Sequence, residues 1–282
     1  MIRRISLCAA LLLPLGAGAL AAQDERNHLT DRWEITLSGA AVVLGSKLRV
    51  DGETRPGTDI DVERVLGLAR TKVQPRLAIA WRPGRRHELE VGYQVVRRDA
   101  LRTLTEDFIF RDSTFRVGLG VRTRFDSDQL FLNYRYAFRA HERLELGMGV
   151  GVGALFFDVA LDALAGGTGG GTSGSVQFSR DRSTIGPTGS IGLYGKWRVG
   201  GASYLGADLR ALRVNIGRLE ATIGEGGLAY RYFLSPTFGL EAGYGISAYK
   251  LAITSTGDAG RELTTLIRYS LQNLRLGAVV AP

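Results

Sequence analysis

Apolar and polar residues alternate along most of this chain, most clearly in a hairpin pattern that occurs three times. Its two halves keep the same offset in Tyr134-Arg135-Tyr136 with Leu144-Glu145-Leu146-Gly147, in Tyr230-Arg231-Tyr232 with Leu240-Glu241-Ala242-Gly243, and in Ile79-Ala80-Trp81 with Leu89-Glu90-Val91-Gly92. A short polar turn joins the halves. Because successive side chains of a strand point to opposite faces, each copy predicts two antiparallel strands with one apolar and one polar face.

The alternation predicts about ten strands after a short polar leader. Each is at least as long as the roughly 9–11 residues that a membrane-spanning strand needs. Eight and twelve strands are the alternatives, since the link around Gly217 also fits a bulge in one strand. The ten candidate strands are Arg32–Leu44, Val73–Arg82, His87–Arg97, Val121–Phe138, Arg143–Val159, Thr184–Arg198, Tyr204–Val214, Ala221–Phe233, Phe238–Ile253 and Arg261–Ala278.

The connections between these strands alternate in length. The links at Pro83–Arg86 and Arg139–Glu142 are tight, whereas those at Gly45–Lys72 and Arg98–Gly120 are long. Short turns at one rim and long loops at the other are typical of barrels in the bacterial outer membrane, where the short turns face the periplasm. The predicted fold is therefore all-β, an antiparallel up-and-down transmembrane β-barrel that occupies residues 32–282.

The nature of the two faces indicates which one meets lipid. The bulky series that includes Leu130, Leu132 and Tyr134 alternates with Asn133 and Arg135. In the partner strand, Leu146, Met148 and Val150 alternate with Glu145 and a run of glycines. Glycines and charges make a poor apolar core, which argues against a soluble ligand-carrying barrel. We expect the apolar face to point outward to lipid and the polar face to line the lumen.

Aromatic residues support the same orientation. Six of them fall at the predicted periplasmic ends of strands, where amphipathic rings form an interfacial girdle. The predicted girdle consists of Trp33, Trp81, Phe138, Trp197, Phe233 and Phe238.

The hairpins also predict ion pairs inside the lumen. With a turn at Arg139-Ala140-His141, Arg135 lies opposite Glu145, and with a turn at Ser235-Pro236-Thr237, Arg231 lies opposite Glu241. Opposite charges across two strands contribute roughly 0.2–1 kcal/mol. Glu90 faces Ala80 in the third copy, so it needs another partner from Arg76, Arg82 or Arg268. A barrel of eight to ten strands is just wide enough to be filled by side chains, so mixed charge favours a plugged lumen.

Two of the long loops carry further predictions, and a third has the composition of a flexible loop. The arginine-rich segment between residues 97 and 124 is either a solvated basic rim or a surface that contacts lipopolysaccharide phosphates through Arg122 and Arg124. Residues 59–68 predict a short amphipathic turn folded over the barrel mouth, and they lack the spacing of a calcium loop. Residues 165–175 are rich in glycine, serine and threonine.

The N-terminus predicts export. Arg3 and Arg4 precede an apolar stretch that ends in a small-residue cleavage site, so residues 1–21 are interpreted as a signal peptide and 22–31 as the leader. Cys8, the only cysteine, lies before most of the apolar core, which argues against lipidation. The net charge of +8 falls to +6 without Arg3 and Arg4, and in an exported chain it favours anionic lipid over nucleic acid as a partner.

Candidate chemistry is sparse. His28 lies in the leader, and His87 and His141 fall at periplasmic turns, where each is interpreted as a polar turn residue rather than a catalyst. Glycine-rich Gly147-Met148-Gly149-Val150-Gly151 continues a strand and has no following helix or Lys-Ser/Thr, which excludes a nucleotide loop. We therefore expect no catalytic residues, no metal site and no cofactor, and we expect that the protein is not an enzyme.

The signal peptide, alternating strands, aromatic girdle and Tyr-x-Tyr hairpins resemble small bacterial outer-membrane barrels of the OmpA and OmpW type. The resemblance covers nearly the whole mature chain, and it implies outer-membrane lipid, lipopolysaccharide and the barrel assembly machinery as partners. Members usually finish on an aromatic residue, whereas this chain finishes Val279-Val280-Ala281-Pro282. A structural or surface-interaction role is the first hypothesis. A narrow passive channel for small or hydrophobic solutes is the second, and a lipid A-modifying enzyme is the third.

Overall fold

The computed structural model describes residues 26–164, 179–257 and 260–282. The predicted signal peptide and the glycine-rich segment at 165–175 lie outside the described residues, so they stay predictions. Among the described residues, no helix is long and apolar enough to cross a membrane.

Nearly all of the described chain is extended. A 3-10 helix, His28–Thr30, precedes the first strand, and one short helix, α1 (Val62–Val65), lies in the first long loop. The strands are β1 (Trp33–Val50), β2 (Ile60–Asp61), β3 (Thr71–Gly84), β4 (His87–Val96), β5 (Asp99–Thr103), β6 (Phe108–Phe110), β7 (Ser113–Phe115), β8 (Gly120–Ala140), β9 (Leu144–Leu164), β10 (Ser179–Arg198), β11 (Ser203–Ile216), β12 (Leu219–Phe233), β13 (Phe238–Thr256) and β14 (Glu262–Val280).

Ten strand positions close into a ring, as the sequence predicts. Each long strand pairs antiparallel with its neighbours in the order β1, β3, β4, β8, β9, β10, β11, β12, β13 and β14. β14 pairs back onto β1 from Ile35 opposite Val280 to Val50 opposite Thr265, which closes the barrel. β5 continues the position of β4, because both pair with β8. β2 pairs antiparallel with the outer end of β1, and β6 and β7 form a separate hairpin.

In the half of the barrel nearer the periplasm, which we call the inner half, side chains point to the faces that the alternation predicts. Leu132 on β8 and Val152 on β9 point outward and are exposed, whereas Asn133 and Glu145 point inward and are buried. Large apolar side chains thus form a belt around the outside of the barrel. Such a belt is the surface that a membrane barrel presents to lipid.

Toward the extracellular rim the two faces exchange character: the outward side chains become charged and the inward ones apolar. From the sequence we expected the inward face to be polar throughout. Above Leu130 on β8, the outward positions are Asp128 and Asp126, while Phe125 points inward and is buried. On β9 the outward series changes from Phe156 to Asp158. Where the outside becomes charged, the barrel has left the lipid belt, and there its interior can be an ordinary apolar core.

Wall and loop residues together fill the interior of the extracellular half of the barrel. The buried apolar cluster combines wall residues with the first long loop and with the β6–β7 hairpin; it includes Val42, Leu44, Phe125, Phe157, Leu161, Ile60, Val62, Leu66, Phe108, Phe110 and Phe115. The turn predicted over the barrel mouth is therefore present as β2, which pairs with β1, and α1, and their apolar side chains pack into the mouth.

One predicted register is correct and the other is wrong. Arg231 lies opposite Glu241 on β13. In the first hairpin, β8 continues to Ala140 with an irregularity between Ala137 and Arg139, so Arg135 lies opposite Gly149 rather than Glu145. The turn at residues 141–143 lies further along the chain than predicted. Every residue of β8 in this hairpin is therefore paired with a later residue of β9 than predicted.

The aromatic girdle also needs one correction. Trp33, Trp81, Phe138, Trp197 and Phe238 lie on the outward face near the periplasmic end, and the rings of Trp33 and Trp81 stack with their centroids 5.9 Å apart. Phe233 instead points inward and is 3% exposed. It shares the parity of Arg231, not that of Tyr232, so it belongs to the barrel interior.

Candidate functional site in the barrel interior

The inner half of the lumen holds a network of ion pairs centred on Glu88 of β4. The Glu88 carboxylate accepts hydrogen bonds from Arg82 (2.5 Å), Arg135 (2.5 Å) and Lys196 (2.6 Å). These residues come from β3, β8 and β10, so three cations from different strands converge on one carboxylate. The network therefore ties together strands that lie on different sides of the lumen.

Arg135 extends the network to Glu90, the carboxylate whose partner the sequence left open. The two are 2.7 Å apart, and Arg76 of β3 also donates to Glu90 at 3.2 Å. Of the three candidates, Arg76 is thus the partner, Arg82 contacts Glu88 instead, and Arg268 is exposed on the outer face. Arg135 bridges two carboxylates of its neighbour β4 and not one of β9.

The predicted pair of Arg135 and Glu145 is accordingly wrong. Glu145 accepts hydrogen bonds from Arg82 at 2.8 Å and from the Tyr194 hydroxyl at 2.9 Å. The cause is the register shift in the first hairpin, which moves Glu145 toward the periplasmic end of the lumen. Glu145 is still a lumen ion-pair residue, but with a partner from across the barrel.

Arg231 and Glu241 form the second part of the network at the predicted position. The Arg231 Nε donates to Glu241 at 2.8 Å, and its Nη1 donates to Glu34 of β1 at 2.7 Å. Arg275 of β14 lies 3.8 Å from the other Glu241 oxygen. This group connects β12, β13, β14 and β1, across the seam where the barrel closes.

The charges of this network balance. Among the described inward side chains of the inner half, seven basic residues meet seven acidic ones, namely Arg76, Arg82, Arg135, Lys196, Arg210, Arg231 and Arg275 with Glu34, Glu88, Glu90, Glu145, Asp208, Glu225 and Glu241. A lumen that selects ions by charge needs an excess of one sign. This arrangement has none, and its ion pairs crosslink the strands of the wall.

The space left between these side chains is small. Two cavities of about 130 Å³ and 100 Å³ lie in the lumen, and both are bordered by Arg76, Asp208, Arg210 and Arg275. These are volumes open to the centre of a water molecule, and each is several times the roughly 10–15 Å³ that one water needs by that measure, so both cavities have room for water. Water in the two cavities can solvate the ion pairs that border them.

We call the first long loop, residues 51–70, and the β6–β7 hairpin the loop plug. A buried ion pair, the latch, fastens this plug to the extracellular half of the barrel. Arg98 donates to Glu63 of α1 at 2.6 Å and to the Ser46 hydroxyl at 2.9 Å, and Glu63 also accepts from the Ser46 amide at 2.8 Å. The Arg98 guanidinium lies 4.7 Å from the centre of the Phe125 ring. The side chains of Arg98 and Glu63 are 1% and 2% exposed, so this latch is fully removed from water.

Two carboxylates hold the rim of the same plug. The Asp112 carboxylate accepts hydrogen bonds from the Thr54 amide and hydroxyl and from the Glu53 amide, and these bonds lower its pKa. Burial works to raise the pKa of Asp51, but hydrogen bonds from Arg49 and from two backbone amides outweigh it and lower that pKa. Both carboxylates are therefore stabilised in the charged form in which they crosslink the loops.

The periplasmic end is covered by the leader. Leu29 is buried against Tyr204, Phe233, Val279 and Ala281. The His28 ring stacks on Phe233 with centroids 3.4 Å apart, and its Nδ1 is 2.6 Å from Asp31. This explains the inward position of Phe233, which packs against the leader instead of lipid.

The remaining predicted site residues lie outside the lumen. Arg122 and Arg124 are exposed on the outward face of β8, beyond Asp126 and Asp128. They border an exterior cleft that also includes Arg97, whose guanidinium is held by Asp128 at 2.5 Å. Both residues lie beyond the lipid belt, on the part of β8 that extends past Leu130.

Chemistry of the kind that enzymes use is sparse in the described residues. His28, His87 and His141 all lie at the periplasmic end. In the part of the chain that the structure describes, no group of three His, Cys, Asp or Glu residues is arranged to hold a metal ion.

Sequence reasoning missed the latch, the leader and the role of Glu88. Arg98 and Glu63 belong to segments interpreted as loops, where a charged residue is expected in water. One signal was available, because Arg98 shares the inward parity of Glu88 and Glu90 along β4. The leader gave a weaker signal, since Leu29 is an isolated apolar residue in a polar stretch.

Comparison with known proteins shows the fold alone. No protein family profile and no curated protein matches the chain. Among solved structures, the outer membrane protease OmpT from Escherichia coli is similar with a TM-score of 0.55 at 10% identity, over 90% of this chain and 97% of that one. Neisserial surface protein A (NspA) is 12% identical with a TM-score of 0.34, over 89% and 97% of the two chains. The chain has the fold of bacterial outer-membrane β-barrels.

Proposed function

We propose that this outer-membrane barrel is closed and that its role is structural or one of surface interaction, without catalysis. The observation that carries the proposal is the charge-balanced network around Glu88, which joins Arg82, Arg135 and Lys196 across the inner lumen. The apolar plug beyond it and the leader below it support the same conclusion. A solute would have to displace all three layers to pass.

Conductance of the refolded protein in a planar bilayer tests the closed lumen. We expect no steady unit conductance from the parent protein. The double variant Arg135→Ala, Arg231→Ala removes two cations that crosslink the interior, so it should conduct measurably more. The variant Arg122→Ala, Arg124→Ala removes the same charge from the outer face and should behave as the parent does. A steady unit conductance in the parent protein would refute the closed lumen.

The same proposal covers two further points: the protein has no catalytic activity, and its partners are lipopolysaccharide and the barrel assembly machinery. Mass spectrometry of lipid A from cells with and without the protein tests the first point, and a modified lipid A that depends on the protein would contradict it. We also propose that Arg122 and Arg124 contact lipopolysaccharide and that the barrel assembly machinery inserts the chain. Charge reversal at Arg122 and Arg124 should weaken lipopolysaccharide binding, and unchanged binding would count against that contact.

A further inference from the structure

A row of basic residues crosses five neighbouring strands at the outer edge of the lipid belt. Register places Arg213 of β11 opposite Thr222, Thr222 opposite Lys250, Lys250 opposite Arg268, and Arg268 opposite Lys47 of β1. All five positions have the outward parity of their strands. On β1, β11, β13 and β14, the basic residue is the first charge beyond the apolar belt. We call Arg213, Lys250, Arg268 and Lys47 the basic row.

The basic row is asymmetric around the barrel. At the corresponding edge of the belt, β8 presents Asp128 and β9 presents Asp158. On β4 the first outward charge is Arg97, which is paired with Asp128, so the cations that outnumber their carboxylates at this edge lie from β11 to β1. A uniform preference for positive charge at the membrane surface would not produce this distribution.

The row lacks enough protein anions. Glu220 lies 3.2 Å from Lys250 and 3.8 Å from Arg213. Among the described residues, Lys47 and Arg268 have no carboxylate within ion-pair distance, although Asp61 lies opposite Lys47 in the register. Like charges directly opposite each other on neighbouring strands destabilise a sheet. The three adjacent cations of β13, β14 and β1 therefore call for an anion from outside the protein.

The surface beneath the row is shaped for hydrocarbon. The next outward positions toward the periplasm are Ala211, Gly224, Ala248, Ser270 and Gly45, all of them small. Further down, Gly195, Ala207 and Gly226 lie among Leu193, Leu209, Leu228, Tyr244 and Ile246 in an apolar depression of about 590 Å³. Because this face lies in the lipid belt, acyl chains fill the depression. We call the depression and the small residues above it the trough.

We propose that the basic row and this trough bind one lipopolysaccharide molecule through the phosphates of its lipid A, with acyl chains in the trough. Strands are about 4.8 Å apart, so the row from Arg213 to Lys47 spans about 19 Å. A headgroup with two phosphates on a disaccharide uses such a length, whereas a glycerophospholipid offers one phosphate. Arginine matches phosphate with two donors, and lysine adds charge. The inference rests on the proposed lipopolysaccharide partner, places a contact separate from Arg122 and Arg124, and is independent of the closed lumen.

Titration of lipid A into the purified full-length protein in detergent tests the site. The double variant Lys250→Gln, Arg268→Gln should bind bisphosphorylated lipid A about 25-fold more weakly, at about fivefold for each basic side chain near an anionic surface. The control Arg85→Gln, Arg86→Gln removes the same charge at the exposed periplasmic turn and should bind as the parent does. The parent should bind monophosphorylated lipid A and phosphatidylglycerol more weakly than bisphosphorylated lipid A.

A second variant tests the trough without changing charge. Gly224 faces outward, and no atom lies within 4 Å of the position that a Cβ would occupy there, so Gly224→Leu should fold normally. It should weaken lipid A binding, whereas Gly39→Leu, which is equally open on β1, should not.

Two results would overturn the assignment. The first is unchanged lipid A binding in Lys250→Gln, Arg268→Gln, and the second is equal loss in the Arg85, Arg86 control. If Arg122→Gln, Arg124→Gln loses binding while the basic row variant does not, the rim contact on β8 stands and this site does not. Loss in neither variant contradicts both contacts, and the conductance result is unaffected in every case.

Discussion

The latch between Arg98 and Glu63 makes the sharpest prediction about the outer half of the barrel. In the variant Arg98→Met, the buried Glu63 carboxylate keeps the Ser46 amide as a partner and loses its countercharge. Breaking a buried ion pair by removing one partner typically costs about 3–5 kcal/mol, since an uncompensated charge stays out of water. We expect the plug to release Glu63 to solvent at that cost rather than the whole barrel to unfold.

The magnitude converts directly into the population of the open plug. At about 1.4 kcal/mol per factor of ten, a loss of about 3–5 kcal/mol raises that population by about two to three and a half orders of magnitude. Hydrogen exchange followed by mass spectrometry on peptides covering residues 60–68 and 104–115 measures it. Those amides should exchange faster in Arg98→Met, while peptides from β8 and β9 below the plug should keep the protection of the parent.

The neighbouring residue provides the matched control. Arg97 pairs with Asp128 on the outer face, where its side chain is 54% exposed, so Arg97→Met should cost at most about 1 kcal/mol. The double variant Arg98→Met, Glu63→Met replaces the pair by apolar side chains and should return close to the parent. If Arg98→Met leaves the plug amides as protected as they are in the parent, or if Arg97→Met has the same effect, the latch does not hold the plug.

Two further predictions address the lipid belt and the plug rim. Leu132→Arg places a basic residue on the lipid-facing surface, which costs about 2–4 kcal/mol at the midplane, so it should impair membrane assembly; normal assembly, seen as heat-modifiable migration in a gel, would contradict the outward assignment. The pKa values of Asp51 and Asp112 are lowered in the folded protein, so their stabilisation is complete above the unfolded value near 4 and is lost as pH falls through the lowered values. Limited proteolysis with pepsin should cut the loops around residues 51–58 of the parent faster near pH 2 than near pH 4. Near pH 4, Asp112→Asn should be cut faster than the parent. Equal rates throughout would rule this mechanism out.

The sequence predicted the architecture because alternation records which face of each strand meets lipid. It predicted the contact of Arg231 with Glu241 because that hairpin has no irregularity between the pair and the turn. It failed for Arg135 because an irregularity near Arg139 shifts the register, and nothing in the local residue types announces such an insertion. Long-range partners such as Arg82 and Glu145 depend on strand tilt and on which side chains meet across the lumen.

The apolar outer interior was predictable in principle. Along β8 the outward series passes from Leu130 to Asp128, and the inward series passes from Asn133 to Phe125. A change of phase within one strand marks the point where it leaves the bilayer, since water then replaces lipid as the outer solvent. Interpreting the whole strand as one membrane-facing unit concealed that change. The inward position of Phe233 was likewise contained in its parity with Arg231.

The seat of Leu29 has a consequence for the order of events during assembly. Its pocket is built from Tyr204 of β11, Phe233 of β12 and Val279 of β14, and Arg26 donates to the carbonyl of Pro282 at the chain end. Because these partners come from β11, β12 and β14, the leader can dock only after the strands from β11 to β14 have paired. A segment that precedes every strand in the chain thus settles only after the strands near the other end, and its protection from protease reports that β11 to β14 are assembled.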